Sequence, residues 1–119
     1  MQNLVDHIPI IDVRIRQDVD FGGMLPKSFN VPIGDIVGQF NGFELSDKEF
    51  KLKYGLNKPR KNEYFVIIFT RGVRAKPAVD LLKSLGYSNV IVYPGGFDDW
   101  KAKGGLIVNT IRGKGKLHL

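Results

Sequence analysis

A chain of 119 residues, 43% hydrophobic and 25% charged, fits one folded domain that buries about two-thirds of its unfolded surface without metals or disulfides. With no cysteine at all, it excludes a disulfide framework, a thiolate metal site and a cysteine nucleophile. The two histidines, His7 and His118, stand near opposite ends and form no metal-site spacing. The net charge of +6 is gathered at the C-terminus, where Lys101, Lys103, Arg112, Lys114 and Lys116 have no acid among them; without those five the remainder stands near +1.

In chain order, "IPIIDVRI" (residues 8–15) is apolar and β-branched up to Asp12 and Arg14, and reads as a buried strand ending in polar groups. "FGGMLPKSFNVPIGDI" carries three glycines and two prolines and reads as a loop, within which "SFNVP" is a short strand held to an edge by Pro32. In "FELSDKEFKLKY" (43–54), Ser46 and Glu49 form a capping box that starts a helix, and Gly55 is placed to end it before the polar connection "LNKPRKNE".

"YFVIIF" (64–69) is a continuous β-rich apolar run and predicts a buried strand feeding into "TRGVRA". Residues 76–85 put Val79, Leu82 and Leu85 on one helical face, with Pro77 in the tolerant first turn and Gly86 as the stop. "NVIVY" (89–93) predicts another strand, and "PGGFDDWKAKG" turns into a brief helix with Phe97 and Trp100 available for core packing. The alternation predicts an α/β fold, a parallel sheet with helices on both faces.

Ligands of such sheets meet the loops at the C-terminal strand ends, where the next helix also points free N–H groups. Thr70, Arg71, Gly72, Val73, Arg74 and Ala75 occupy that place. With Gly72 unrestricted in φ and ψ, backbone N–H groups can turn inward to cradle an anion.

At these residues the chain resembles the rhodanese-like domain family, single-domain thiosulfate sulfurtransferases, over residues 9 to 104. "IIDVR" is similar to the family's first aspartate-bearing strand end and "GGMLPKSFNVP" to its G-H-I-P-G-A-x-N-I-P segment. "FTRGVRA" resembles the active-site loop, and "LLKSLGYSNVIVYPGGFDDW" the final helix–strand–helix. The resemblance implies a small parallel sheet flanked by helices and, in the family, sulfur transfer through a cysteine persulfide in the loop C-x-x-G-x-R.

Aligning Gly72 and Arg74 without a gap puts Phe69 at the cysteine position; a one-residue deletion puts Thr70 there, whose hydroxyl cannot form a persulfide. Related phosphatases on the fold need the same cysteine. Met24 and Lys27 stand where the family usually has histidine and glycine. The expectation is a catalytically inactive rhodanese-like domain, residues 1–104, with a basic extension at 105–119. It would act as a binding or regulatory module for a small anion or an acidic protein segment. The alternative is an enzyme of altered chemistry that uses Thr70 or the arginines on an anionic substrate. No cofactor or metal is implied.

Individual residues carry competing readings. Phe69 is either a plug in the mouth of the loop, the preferred reading, or the last core residue of its strand. Arg74 either binds a ligand or, as preferred, pairs with an internal carboxylate such as Asp12; for Arg71 solvated charge and ligand contact balance. Asp12 and Arg14, at i and i+2 on one strand face, read as a supporting ion pair and not as an acid/base pair. "GLIVNTI" (105–111) is apolar enough for an additional strand on a sheet edge of this chain or of a second copy, a route to homodimers. A solvated tail is preferred to nucleic-acid binding because no stacking aromatics interleave its lysines. No apolar run approaches the length of a membrane span and the N-terminus lacks a signal-peptide layout, so a cytoplasmic protein without membrane contact is the default expectation.

Overall fold

A computed structural model describes residues 8–38, 41–70, 75–93 and 95–108. The elements run β1 (Ile10–Asp12), α1 (Arg16–Gly22), β2 (Ser28–Asn30), α2 (Gly34–Val37), a 3-10 turn (Gly42–Glu44), α3 (Asp47–Tyr54), β3 (Phe65–Ile68), α4 (Ala75–Ser84), β4 (Val90–Val92) and α5 (Gly96–Ala102). The four strands form one sheet in the order β2-β1-β3-β4. Every pairing is parallel, with Ile11 opposite both Phe29 and Ile67, and Ile67 opposite Val92. This is the predicted α/β sheet, with β2 at the edge as Pro32 requires.

The period of two along the strands divides the core. Ile11, Val13, Phe65, Ile67 and Phe69 project to one side, into a cluster with Phe43, Phe50, Tyr54, Ala78, Leu82 and Tyr87. Ile10 and Ile68 project to the other, against Leu25 and Phe97, with Trp100 and Ile107 packed beside them. Helices α3 and α4 therefore cover one face, while α5 and the chain after it cover the other. Phe97 is a core residue, and Trp100, half-buried, packs against that cluster, so both serve packing.

The helix signals in the sequence correspond to real caps. The Ser46 hydroxyl accepts from the Glu49 N–H at 3.2 Å, while the Glu49 carboxylate accepts from the Ser46 N–H at 3.3 Å. The helix it starts is shorter than the 43–54 window, since Phe43 belongs to the preceding 3-10 turn. Gly55 ends α3 at φ 88° and Gly86 follows α4 at φ 103°, both in the left-handed region that favours glycine.

Two helices have no counterpart in the sequence reading. In α1 the N-cap is Ile15, which makes no side-chain cap, and Val19 is its buried residue, so neither a cap nor an apolar stripe announces it. The single turn α2 lies inside the stretch read as loop; it packs Ile36 into the core between Pro32 and Gly38.

The strand expected at 105–111 is replaced, in its described part, by a single antiparallel bridge outside the sheet. Met24 and Val108 exchange both backbone hydrogen bonds, at 2.9 and 2.8 Å. The Trp100 indole N–H donates to the Leu106 carbonyl at 2.8 Å. These bonds cross the boundary expected at residue 104 and join the first residues of the extension to the domain. Residues 109–111 lie outside the described residues.

The candidate anion-binding loop and its supports

Thr70 follows β3 at the C-terminal end of the sheet, and α4 starts at Ala75. Arg71, Gly72, Val73 and Arg74, and with them the arginine readings, lie outside the described residues. The flank before the loop is defined. Phe69 is 6% exposed and its ring belongs to the main core cluster, continuing the inward alternation of Phe65 and Ile67. Thr70 is exposed, and among the described residues nothing hydrogen-bonds its hydroxyl.

The loop's near side is clamped by the start of α5. The Phe97 N–H donates to the Phe69 carbonyl at 2.6 Å, and the Asp98 N–H donates to the Thr70 carbonyl at 2.9 Å. That approach demands glycine at position 96. Its φ is +68°, and a Cβ there would stand 2.4 Å from the Phe69 carbonyl oxygen. The sequence showed "GGF" as a turn signal; its second role, letting one backbone lie against another, is tertiary.

At the end of β1, beside β3, Asp12 and Arg14 form the expected ion pair, with side chains 1% and 3% exposed. Arg14 Nη2 lies 2.7 Å from Asp12 Oδ2 and Nε 2.9 Å from Oδ1, a bidentate fork, and the Arg14 backbone N–H adds a third donor at 3.0 Å. Nη2 also donates to the Gly23 carbonyl at 2.6 Å, and the guanidinium lies 3.7 Å from the centroid of the Phe97 ring. Arg14 thus ties β1 to the α1–β2 loop and to α5. Asp12, the carboxylate suggested for Arg74, is engaged by Arg14.

Asn30 and Asp99 were missed in the sequence. The Asn30 side-chain amide donates to the carbonyls of Asp12 and Arg14 at 2.8 and 3.0 Å, pinning the end of β1 from the neighbouring strand. Nothing in a single asparagine signals that. On α5, Asp99 accepts from the Tyr93 hydroxyl at 3.0 Å and faces Lys103 Nζ at 3.1 Å. Hydrogen bonds from Lys103 and then Tyr93 hold its carboxyl below the ordinary range, and Asp99 holds the Lys103 ammonium above its own. The Asp99–Lys103 spacing of i and i+4 was legible, but its link to Tyr93 was not.

Chemically the described site offers buried support and no nucleophile–base pair. Among the described residues no group of histidine, aspartate and glutamate could hold a metal ion, and no helix is long and apolar enough to cross a membrane.

Comparison with known proteins agrees with this architecture. Residues 1–103 match the family described as Rhodanese-like domain. The chain is 36% identical over 97 residues to the rhodanese domain-containing protein CG4456 of Drosophila melanogaster, covering 82% of this chain and 85% of that protein. It is 34% identical over 113 residues to the mitochondrial thiosulfate sulfurtransferase RDL2 of Saccharomyces cerevisiae, covering 91% of this chain and 72% of that protein. The human single-domain sulfurtransferase TSTD1 superposes with a TM-score of 0.75 at 24% identity, covering 87% of this chain and 88% of that one, a likeness of fold. By sequence and by fold, the chain belongs to the rhodanese-like domain family.

Proposed function

We propose that this rhodanese-like domain is a binding or regulatory module that holds an anionic group, a small anion or an acidic protein segment, at residues 70–75, and that it does not transfer sulfur. One observation carries the reading: no cysteine occurs anywhere in the 119 residues. Both positions that alignment offers for the family's cysteine are filled by side chains without a thiol, the buried Phe69 and the exposed Thr70. The yeast relative is named for thiosulfate sulfurtransfer. Carrying that activity to this chain would require a side chain able to accept a sulfane sulfur, and none is present.

Retention of the loop's surroundings supports a binding role. The close contact at Gly96 holds the flank before the loop, the buried Asp12–Arg14 pair braces the neighbouring strand end and α5, and α4, ten residues long, starts at Ala75 with its N–H groups at that end. Threonine chemistry gains no support, because a hydroxyl needs an adjacent base and none bonds Thr70 among the described residues. A thiosulfate and cyanide assay on the purified chain tests the reading: thiocyanate formation at the level of a heat-denatured control is expected, and turnover above it overturns the proposal.

A further inference from the structure

The basic run Lys58–Pro59–Arg60–Lys61 lies just before β3, and Tyr87 just before β4, at the sheet end opposite Thr70. Together with Asp47 and Glu63 they line a cavity of about 550 Å³. The run is held in place. The Glu63 N–H donates to the Arg60 carbonyl at 3.0 Å, and the Ser88 N–H donates to the Lys61 carbonyl at 3.1 Å. The Glu63 carboxylate accepts from the Arg60 N–H at 2.6 Å, which engages one of the two acids of the cavity.

The lysines are anchored but not saturated. Lys58 Nζ donates to the Leu45 carbonyl at 2.8 Å and Lys61 Nζ to the Leu85 carbonyl at 2.5 Å. An ammonium has three N–H donors, so among the described residues each keeps two. Lys61 Nζ also stands 4.8 Å from the centroid of the Tyr87 ring, beside the hydroxyl-bearing ring itself.

Tyr87 is the decisive residue. It is 1% exposed, packed edge-on against Phe43 and Phe65 at 5.4 and 5.7 Å, and its buried hydroxyl has no hydrogen-bond partner among the described residues. Buried phenols nearly always find a partner, since leaving one unpaired forfeits its hydration with nothing in return. Burial, with the charge of Asp47 adding to it, pushes the phenol up to about 12, so the hydroxyl stays protonated at neutral pH and remains a donor.

We propose that this cavity is a second anion site, separate from residues 70–75. It would take a small molecule bearing a phosphate- or sulfate-type oxyanion, with the Tyr87 hydroxyl donating from the floor and Lys58, Arg60 and Lys61 from the rim. Three cations face two carboxylates, and Glu63 is already engaged by a backbone N–H. A tetrahedral oxyanion presents several acceptors at once, enough for one neutral O–H, two ammonium groups and a guanidinium to share. Among the described residues the one aromatic of the lining, Tyr87, is buried against other rings and offers no base-stacking platform beside the charge.

The test is a titration of the isotope-labelled full chain with inorganic phosphate and with sulfate, followed by amide NMR, with potassium chloride at matched ionic strength as control. Saturable shifts are expected at Lys61, Tyr87 and Ser88 with both oxyanions and not with chloride. Tyr87→Phe should weaken binding about tenfold while the unfolding midpoint stays equal or rises, because no protein hydrogen bond is lost; Arg60→Ala should weaken it as well. Equal shifts with chloride, unchanged affinity in Tyr87→Phe, or shifts confined to residues 69–75 would each overturn the proposal, the last leaving the loop reading intact.

Discussion

The guanidinium of Arg14 lies over the ring of Phe97 at 3.7 Å while its edge is committed to Asp12. One side chain thereby couples the end of β1 to α5, the helix whose first N–H groups hold the carbonyls of Phe69 and Thr70. The candidate loop is supported through this stack, and the consequences are measurable.

Arg14→Ala leaves the Asp12 carboxylate buried without its cation. Loss of one partner of a buried pair typically costs about 3–5 kcal/mol, and a large drop in the urea midpoint is expected. Arg14→Lys keeps the charge but loses the bidentate fork and the stacking, so it should fall between wild type and Ala. A midpoint unchanged in Arg14→Ala would show that the pair contributes nothing to holding β1.

Substituted cysteines discriminate the two alignments of the loop. A thiol introduced by Thr70→Cys is exposed and should react with a disulfide reagent within the time of mixing. One introduced by Phe69→Cys sits where 6% of the residue is accessible and should react far more slowly in the folded protein. The Phe69 substitution also removes core volume, with an expected loss of about 2–4 kcal/mol, whereas the Thr70 change should lie within about 0.5 kcal/mol. Equal labelling rates would contradict the burial difference.

Backbone conformation predicts opposite signs at two positions. Gly96→Ala forces a Cβ against the Phe69 carbonyl at a φ of +68° and should destabilise by about 2 kcal/mol or more. Lys27, an exposed residue held at φ 65°, is a non-glycine in the left-handed region. Lys27→Gly removes a conformational cost of about 1–2 kcal/mol and adds part of that back as unfolded-state entropy, so a small gain is expected in thermal melts.

Alkaline unfolding should report the tyrosines. Tyr87 is raised from 10.0 to about 12, and burial together with a hydrogen bond to Asp35 raises Tyr54 as well. Because the folded state binds these protons more tightly, the associated stability is complete below pH 10 and is lost as pH rises from 10 toward 12. Tyr87→Phe should flatten the stability profile across that window in a pH series of denaturant melts. An identical slope in both proteins would remove Tyr87 as a cause.

Much of the architecture was legible because local physics repeats along a chain. The β-branched runs at 10–12, 65–68 and 90–92, the Ser46–Glu49 cap and the stops at Gly55 and Gly86 are all short-range devices, and each appears where its residues stand. The absence of a thiol was legible for a simpler reason, since a missing element needs no coordinates. Helices α1 and α2 were not, because their stability comes from Val19 and Ile36 reaching a core built by other segments.

By itself, then, the order of residues determined the fold class, the place of the candidate loop at a strand end and the lack of a sulfur-carrying side chain. Tertiary structure decided what surrounds that place, Arg14 between Asp12 and Phe97, Gly96 against two carbonyls and Val108 bonded to Met24, and at the other end of the sheet it left the Tyr87 hydroxyl without a partner among the described residues beside Lys58, Arg60 and Lys61. Contacts between segments far apart in sequence depend on shape and burial, which single residues do not encode until the sheet has brought those segments together.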